Sequence, residues 1–431
     1  LRCVIVADDL TGAADASVAL ADRGATVAVL PWTDAMIADL EVELGHASGS
    51  RHLVDVLVVE TDTRDADAGE AGERLRRVGE VLARMPPPMV AKKIDSVLRG
   101  PIAAELAALR DALRPSRTVI APAFPRLGRT TVAGIQLRDG VPVDVEQGAP
   151  AGRRADTADV ADACDVPDAM RSAAGDPLPP AAVSVHDATS DADLAALAAR
   201  IERCDPRPLV VGSAGLLEAL APYLVPRTEE GLGRRHPAAA PSQQRAGWTL
   251  IVSLSPTATA IGQVAQLRRE RRVHEIMLEP DLVTIEPQAA AALLCHRIRT
   301  LLDDGDDIVA EGRTVLVTLV DGARAASDPV EAARTRAALL EACREAFRML
   351  PAPALVVANG GDAARTAVDA WRLGRLDVYG SLPHGSSLVR GSQGTLLALK
   401  SGGFGPAGAL IELLDAASFH PSDHATGGSS A

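Results

Sequence analysis

Aromatic residues are nearly missing: four Phe, two Tyr and three Trp make 2% of 431 residues. A core without them is aliphatic and alanine-rich. Single-stranded nucleic-acid binding, which stacks bases on aromatic rings, lacks its platform. Lysine is scarcer still. Only Lys92, Lys93 and Lys400 occur, and all other fixed positive side-chain charge is arginine. The bland reading is compositional drift toward Arg. The functional reading is that an adjacent pair and a third lysine in a glycine loop mark places where an ammonium does what a guanidinium does not. The five cysteines (Cys3, Cys164, Cys204, Cys295, Cys343) are dispersed, without a CxxC pair, and read as reduced thiols. No Cys/His set has metal-ligand spacing, so no dedicated metal site is expected. No apolar run is long enough to span a bilayer. The chain opens on an apolar strand, Arg2 to Ala7, without a signal-peptide pattern, and a cytoplasmic protein is expected. The net charge of −13 disfavours nucleic-acid and membrane partners and makes local basic clusters informative.

The length calls for more than one core. Short apolar runs alternate with helical patterns in both halves, which predicts an α/β protein with two domains. Each domain is expected to hold a mostly parallel sheet flanked by helices, with the active site in the cleft between domains. The expected division is a substrate-binding domain over 1–228, a linker over 229–247, a second domain over 248–420 and a disordered tail over 421–431. Residues 148–180 carry little pattern and read as a flexible excursion.

Met89 to Glu105 is the densest stretch. After a short strand it packs Lys92, Lys93, Asp95, Ser96, Arg99 and Gly100 into nine residues, then enters a helix near Pro101. Open α/β sheets place ligand sites at such strand ends. The first strand likewise runs into Asp8, Asp9, Thr11 and Gly12 before a helix. Either one of the two Asp caps the helix while the other is solvated, or one handles a hydroxyl while the other holds a cation or substrate. Asp62 and Arg64 follow another strand. The segment Pro122 to Thr131, with Arg126 and Arg129, reads as a stiff loop suited to a carboxylate or phosphate. Gln136 to Val143 reads as a hairpin turning at Asp139-Gly140. Carboxylates beside cations suit a small acid that carries hydroxyl groups.

The second half has polar strand ends at Ser253 and Ser255, at Gly360-Gly361-Asp362-Ala363, and from Lys400 through Gly402 and Gly403 to Gly405. Glycines let backbone N–H groups approach phosphate oxygens, and a lysine adds a mobile cation. The pattern is not a Walker A loop. Phosphoryl transfer joins the halves, since it requires a phosphate cradle, counter-charge and a base near the accepting hydroxyl. A Schiff-base lyase or aldolase using Lys92 or Lys93 is a second reading. A non-catalytic acid-sugar-binding protein is a third.

Four motifs carry a resemblance. Val6-Ala-Asp-Asp-Leu-Thr-Gly-Ala13, Lys92-Lys-Ile-Asp-Ser-Val-Leu-Arg-Gly100, Ala121-Pro-Ala-Phe-Pro125 with Gly128-Arg-Thr-Thr131, and Lys400-Ser-Gly-Gly-Phe-Gly405 together resemble the four-carbon acid sugar kinases, a family long catalogued as a domain of unknown function. The resemblance runs from Val4 to about Leu414. It implies an N-terminal sugar-acid-binding domain and a C-terminal nucleotide-binding domain. It also implies ATP-dependent phosphorylation of threonate, erythronate or 3-oxo-tetronate at the terminal hydroxyl, with Mg²⁺ arriving on the nucleotide. Asp9, Asp95 and Lys92 are then the expected catalytic residues, with Asp9 or Asp95 as base. Asp8, Thr11, Arg64, Lys93, Ser96, Arg99, Arg126 and Arg129 would bind the acid. Ser253, Ser255, Gly360, Gly361, Asp362, Ala363, Lys400, Gly402 and Gly403 would bind the nucleotide. The chain departs from the family pattern at Leu254, where glycine is usual, at Asp362, where glutamate is usual, and at His384. The expected partners are a small anionic sugar acid and ATP. Whether the chain self-associates stays open.

Overall fold

A computed structural model describes residues 1–47, 54–143, 171–172, 182–226, 247–255, 257–303, 314–319 and 329–418. The excursion expected over 148–180 lies outside these residues apart from 171–172. The linker expected over 229–247, apart from Gly247, and the tail expected from 421 also lie outside them. The chain divides into two compact units, Leu1–Arg235 and His236–Ala431. No helix among the described residues is long and apolar enough to cross a membrane.

In the first unit, β1 (Cys3–Ala7), β2 (Val27–Leu30), β3 (Val56–Glu60), β4 (Val90–Lys93) and β5 (Arg117–Ala121) alternate with α1 (Leu10–Ala21), α2 (Met36–Ala47), α3 (Ala68–Arg84) and α4 (Ile102–Leu113). A small antiparallel sheet follows: β6 (Arg129–Val132), β7 (Ile135–Arg138) and β8 (Val141–Pro142). Next come β9 (Arg171–Ser172), β10 (Ala182–His186), α5 (Asp191–Glu202), β11 (Leu209–Gly212) and α6 (Ala214–Leu224). The main sheet is wholly parallel, in the order β2-β3-β1-β4-β11-β5-β10-β9. β1 and β3 are buried at every residue, because a parallel sheet covered by helices on both faces reads as an uninterrupted apolar run. Val4, Val6, Leu57 and Val59 pack on one face with Leu75, Val78 and Leu82 of α3 and Leu106 and Leu109 of α4. α1 packs with α6. Asp139 and Gly140 turn the β7–β8 hairpin with positive φ at both residues, as a two-residue type I′ turn requires. Arg129, Thr130 and Thr131 lie in β6 rather than in a loop.

From β1 the chain first moves to β2 and β3 on one side and then returns to β4 on the other. The strand order therefore reverses between β1 and β4, and ligands of open α/β sheets bind outside the carboxyl ends of strands at such a point.

The second unit holds β12 (Thr249–Ser253), α7 (Ala258–Glu270), β13 (His274–Leu278), α8 (Pro280–Ile285), α9 (Pro287–Asp303), β14 (Thr314–Leu319), α10 (Pro329–Arg348), β15 (Leu355–Asn359) and α11 (Gly361–Trp371). It ends with β16 (Leu376–Leu382), β17 (Ser386–Gly391), β18 (Leu396–Lys400) and α12 (Ala409–Ser418). Its strand order is β13-β14-β12-β15-β18-β17-β16. The first five are parallel, and β17 runs antiparallel to both neighbours. Here too the order reverses, between β12 and β15.

Candidate active site

In the first unit the strand ends at the reversal bring three of the expected residues, Asp8, Asp9 and Asp95, together around Arg64. Its guanidinium is bidentate on Asp8, at 2.8 and 3.0 Å. Its Nη1 lies 2.6 Å from Asp9 Oδ2, and its Nη2 lies 3.9 Å from Asp95 Oδ1. The arginine fork matches a carboxylate edge, so one cation organises three strand-end carboxylates. Asp8 is buried and is not the solvated partner of a capping pair. Burial works against its ionisation, yet the charges of Arg64, Lys92 and Lys93 hold its carboxyl below the usual range. The same carboxylates raise Arg64 against its own burial.

Asp9 caps α1, accepting from Gly12 N at 2.8 Å and from the Thr11 hydroxyl at 2.6 Å. Gly12 is required there. A Cβ would sit 2.4 Å from Asp9 Oδ1 and 3.1 Å from Lys93 Nζ. Asp95 accepts from Val97 N (3.1 Å), Arg99 N (3.2 Å), Arg99 Nε (3.0 Å) and Arg99 Nη2 (2.8 Å). Its burial is overcome by the Arg99 hydrogen bonds and the charges of Arg64, Arg99 and Lys93, and its carboxyl is held far below the ordinary range. Ser96 is fixed by its carbonyl, which accepts from Gln136 Nε2 of β7 at 2.7 Å. Asp95 is therefore not a carboxylate with proton affinity to spare.

The two lysines of β4 part, because successive strand residues face opposite sides. Lys92 lies on the face covered by α4 and is fully buried. Its Nζ sits 3.1 Å from the carboxylate of Glu105, which also accepts from the Thr63 hydroxyl. Lys92, expected among the catalytic residues, has its ammonium paired within the core. Lys93 lies on the other face, beside Gly12, and donates to Ile94 O at 3.0 Å. Arg126 is mostly exposed, pairs with Glu218 of α6 and lies over the Phe124 ring. Arg129 is buried and donates to Leu127 O.

Sequence reasoning passed over Glu105, Asp15 and Glu218. Glu105 announces itself only through the i, i+13 distance to Lys92, which no short motif carries. Burial pushes the carboxyls of Asp15 and Glu218 up to about 7.

In the second unit the three polar strand ends also converge. Asn359 Nδ2 donates to Ser253 Oγ at 2.9 Å, and Asn359 Oδ1 accepts from Lys400 Nζ at 3.1 Å. Lys400 Nζ also donates to Ser401 O at 2.7 Å, and burial lowers this ammonium to about 8. Asn359 was missed because a lone Asn before two glycines reads as turn chemistry. Gly360 has φ 118° and ψ 156°, open to glycine alone, and a Cβ there would meet nothing within 4 Å. No side chain caps α11, whose first N–H groups, including those of Gly361 and Ala363, start at this turn. Gly402 backs onto Ser255, whose hydroxyl pairs with Thr257, and Gly403 is open. Gln263 Nε2 holds the carbonyls of Phe404, Gly405 and Pro406 at 2.9, 3.2 and 3.1 Å, fixing the loop after Lys400. Asp362 is drawn into an ion pair with Arg336, and the Ala363 side chain is buried.

One sheet gathers carboxylates and cations at its strand ends, and the other gathers glycines, an uncapped helix start and a lysine, an arrangement suited to a phosphotransferase acting on a sugar acid. Comparison with known proteins agrees. The model of a sugar-binding N-terminal domain matches residues 3–149, and that of a nucleotide-binding C-terminal domain matches residues 250–410. A D-threonate kinase of Cupriavidus necator is 30% identical over 94% of this chain and 96% of its own length. A D-erythronate kinase of Heliobacterium modesticaldum is 37% identical over 33% of this chain and 30% of its own. A crystal structure of a DUF1537 protein from Haemophilus influenzae shares the fold at TM-score 0.61 and 18% identity, covering 96% of this chain and all of that one. The chain belongs to the four-carbon acid sugar kinase family.

Proposed function

We propose that the chain transfers the γ-phosphoryl group of ATP to the terminal hydroxyl of a four-carbon sugar acid: threonate, erythronate or 3-oxo-tetronate. The observation that carries this is the division of labour between the two reversal points. The first presents an ordered ring of Asp8, Asp9, Arg64 and Asp95 with Lys93 beside it. The second presents Gly360, the start of α11 and Lys400.

Asp9, Asp95, Thr11 and Ser96 orient the hydroxyls of the acid, while Lys93, Arg99 and Arg126 meet its carboxylate and the incoming phosphate. Asp8 and Arg64 hold this arrangement from below. In the second unit, the N–H groups of Gly361 and Ala363 receive phosphate oxygens at the helix start. Gly402 and Gly403 let backbone approach closely, and Lys400 supplies charge. Ser253 acts through Asn359, and Ser255 through Gly402. Asp362, occupied by Arg336, sits at the rim. Mg²⁺ carried by the nucleotide would supply counter-charge to its phosphates.

The test is ADP release from ATP and Mg²⁺ across a panel of tetronates and oxo-tetronates. Turnover on at least one supports the reading. Absence of turnover on all of them, or a borohydride-trapped adduct at Lys93 with an oxo-acid, contradicts it.

A further inference from the structure

We infer that Asp15 is the general base that takes the proton from the acceptor hydroxyl, an inference that rests on the kinase reading above. Each of the other carboxylates at the first reversal already accepts from cationic or amide donors. Asp8 accepts two bonds from Arg64. Asp9 accepts from Gly12 N, Thr11 and Arg64. Asp95 accepts four bonds. The cations around Asp8 and Asp95 hold both carboxyls below the usual range, which makes them weak bases.

Asp15 differs in place and in partners. It stands three residues beyond Gly12 on α1, so the two share a helix face. Gly12 is the point where α1 comes within 3.1 Å of Lys93 Nζ, measured from a Cβ built on that glycine. Asp15 is half-buried, and among the described residues no hydrogen bond reaches its carboxyl. The charged groups that act on it are Lys93 of β4, Asp9 before α1, Arg64 after β3 and Glu218 of α6. Burial raises its carboxyl to about 7, with Asp9 and Glu218 adding to the rise and Lys93 and Arg64 opposing it. A base poised near the working pH is the one that general-base catalysis favours.

The step balances. The hydroxyl oxygen forms a bond to the γ-phosphorus, the bond from that phosphorus to the β,γ-bridging oxygen breaks, and its electron pair leaves with ADP. The hydroxyl proton passes to the Asp15 carboxylate and from there to water. The charge of Lys93 opposes the rise that burial imposes on this carboxyl.

The experiment compares full-length wild type with D15N, D15E, D9N and E218Q by ADP release between pH 5.5 and 9, using the acid that the panel identifies. Binding of acid and nucleotide is measured by calorimetry. In wild type, kcat/KM rises with pH through about 7, because the base must be deprotonated. In D15N, kcat falls by about 10²- to 10⁴-fold, binding changes by less than about threefold, and the rise with pH disappears. D15E recovers part of the loss, and E218Q keeps the rise. The inference is overturned if D15N retains kcat within about threefold. It is also overturned if the rise persists in D15N or is lost instead in E218Q or D9N. Should D15N fail to fold, a wild-type profile without the rise overturns it alone. A wild type that turns over no acid of the panel overturns the kinase reading itself.

Discussion

Replacing Lys92 with Met separates a structural lysine from a catalytic one. The side chains of Lys92 and Glu105 are 0% and 1% exposed and lie 3.1 Å apart. At an effective dielectric of about 20, that separation corresponds to roughly 5 kcal/mol of attraction. Removing one partner of a buried pair costs about 3–5 kcal/mol, because the other charge is left uncompensated. Burial already raises Glu105, and losing the ammonium leaves only the Thr63 hydrogen bond to oppose that push. K92M is therefore expected to lose about 3 kcal/mol at pH 8 and to regain part of it on acidification. The sign follows from linkage: a carboxyl raised on folding binds its proton more tightly in the native state, so stability falls as pH climbs from the ordinary carboxyl range to the raised value. In K92M/E105L the charge is gone with its partner, and stability returns to within about 1 kcal/mol of wild type. Trp32 is the only tryptophan of the first unit. A W248F/W371F background therefore lets its fluorescence follow urea unfolding of that unit alone. Turnover per folded molecule should fall less than about tenfold. A K92M protein as stable as wild type would refute the argument. So would one that is stable yet inactive, which would return Lys92 to the chemistry.

Replacing Arg64 with Met leaves Asp8, Asp9 and Asp95 without their common cation, and a loss of about 3–5 kcal/mol is expected. Wild type draws stability from Asp8 and Asp95, both held low, above the ordinary carboxyl range and loses it as pH falls through their native values. R64M should instead gain stability on acidification toward pH 4, as thermal melts across pH would show. Lys400 is lowered to about 8, so nucleotide affinity should fall as pH rises through about 8, and K400M should bind weakly with a flat profile by calorimetry. At Gly360, alanine would be forced into a backbone region that costs about 1–3 kcal/mol. G360A should weaken nucleotide binding more than acid binding, and equal weakening would refute the assignment of that turn.

Much of the first unit was legible because parallel strands buried on both faces leave unbroken apolar runs, and because polar residues interrupt them at the carboxyl ends. Asp8, Asp9, Arg64 and Asp95 could be singled out from that alone. Their pairing could not, because it depends on one guanidinium reaching three strand ends far apart in sequence. The fate of Lys92 was hidden for the same reason: strand parity says that one lysine of the pair turns away, and only the placement of Glu105 says which. Asp15 lies within a motif read for its strand end and cap, and its burial and lack of hydrogen bonds appear only once α1 is packed. In the second unit the hairpin of β16 and β17 went unread. Gly380, Pro383, Gly385 and Gly391 punctuate it as a loop, and only pairing with β18 makes it a sheet. Asn359 links Ser253 to Lys400 across three strands, which spacing does not encode.

The most direct test of the central claim is a measurement of ADP and phosphorylated acid formed from ATP, Mg²⁺ and each of threonate, erythronate and 3-oxo-tetronate. The account predicts one ADP per phosphorylated acid with at least one of them, and no ADP release above background without acid. ADP release that does not depend on any acid, or no release with all of them, would contradict it.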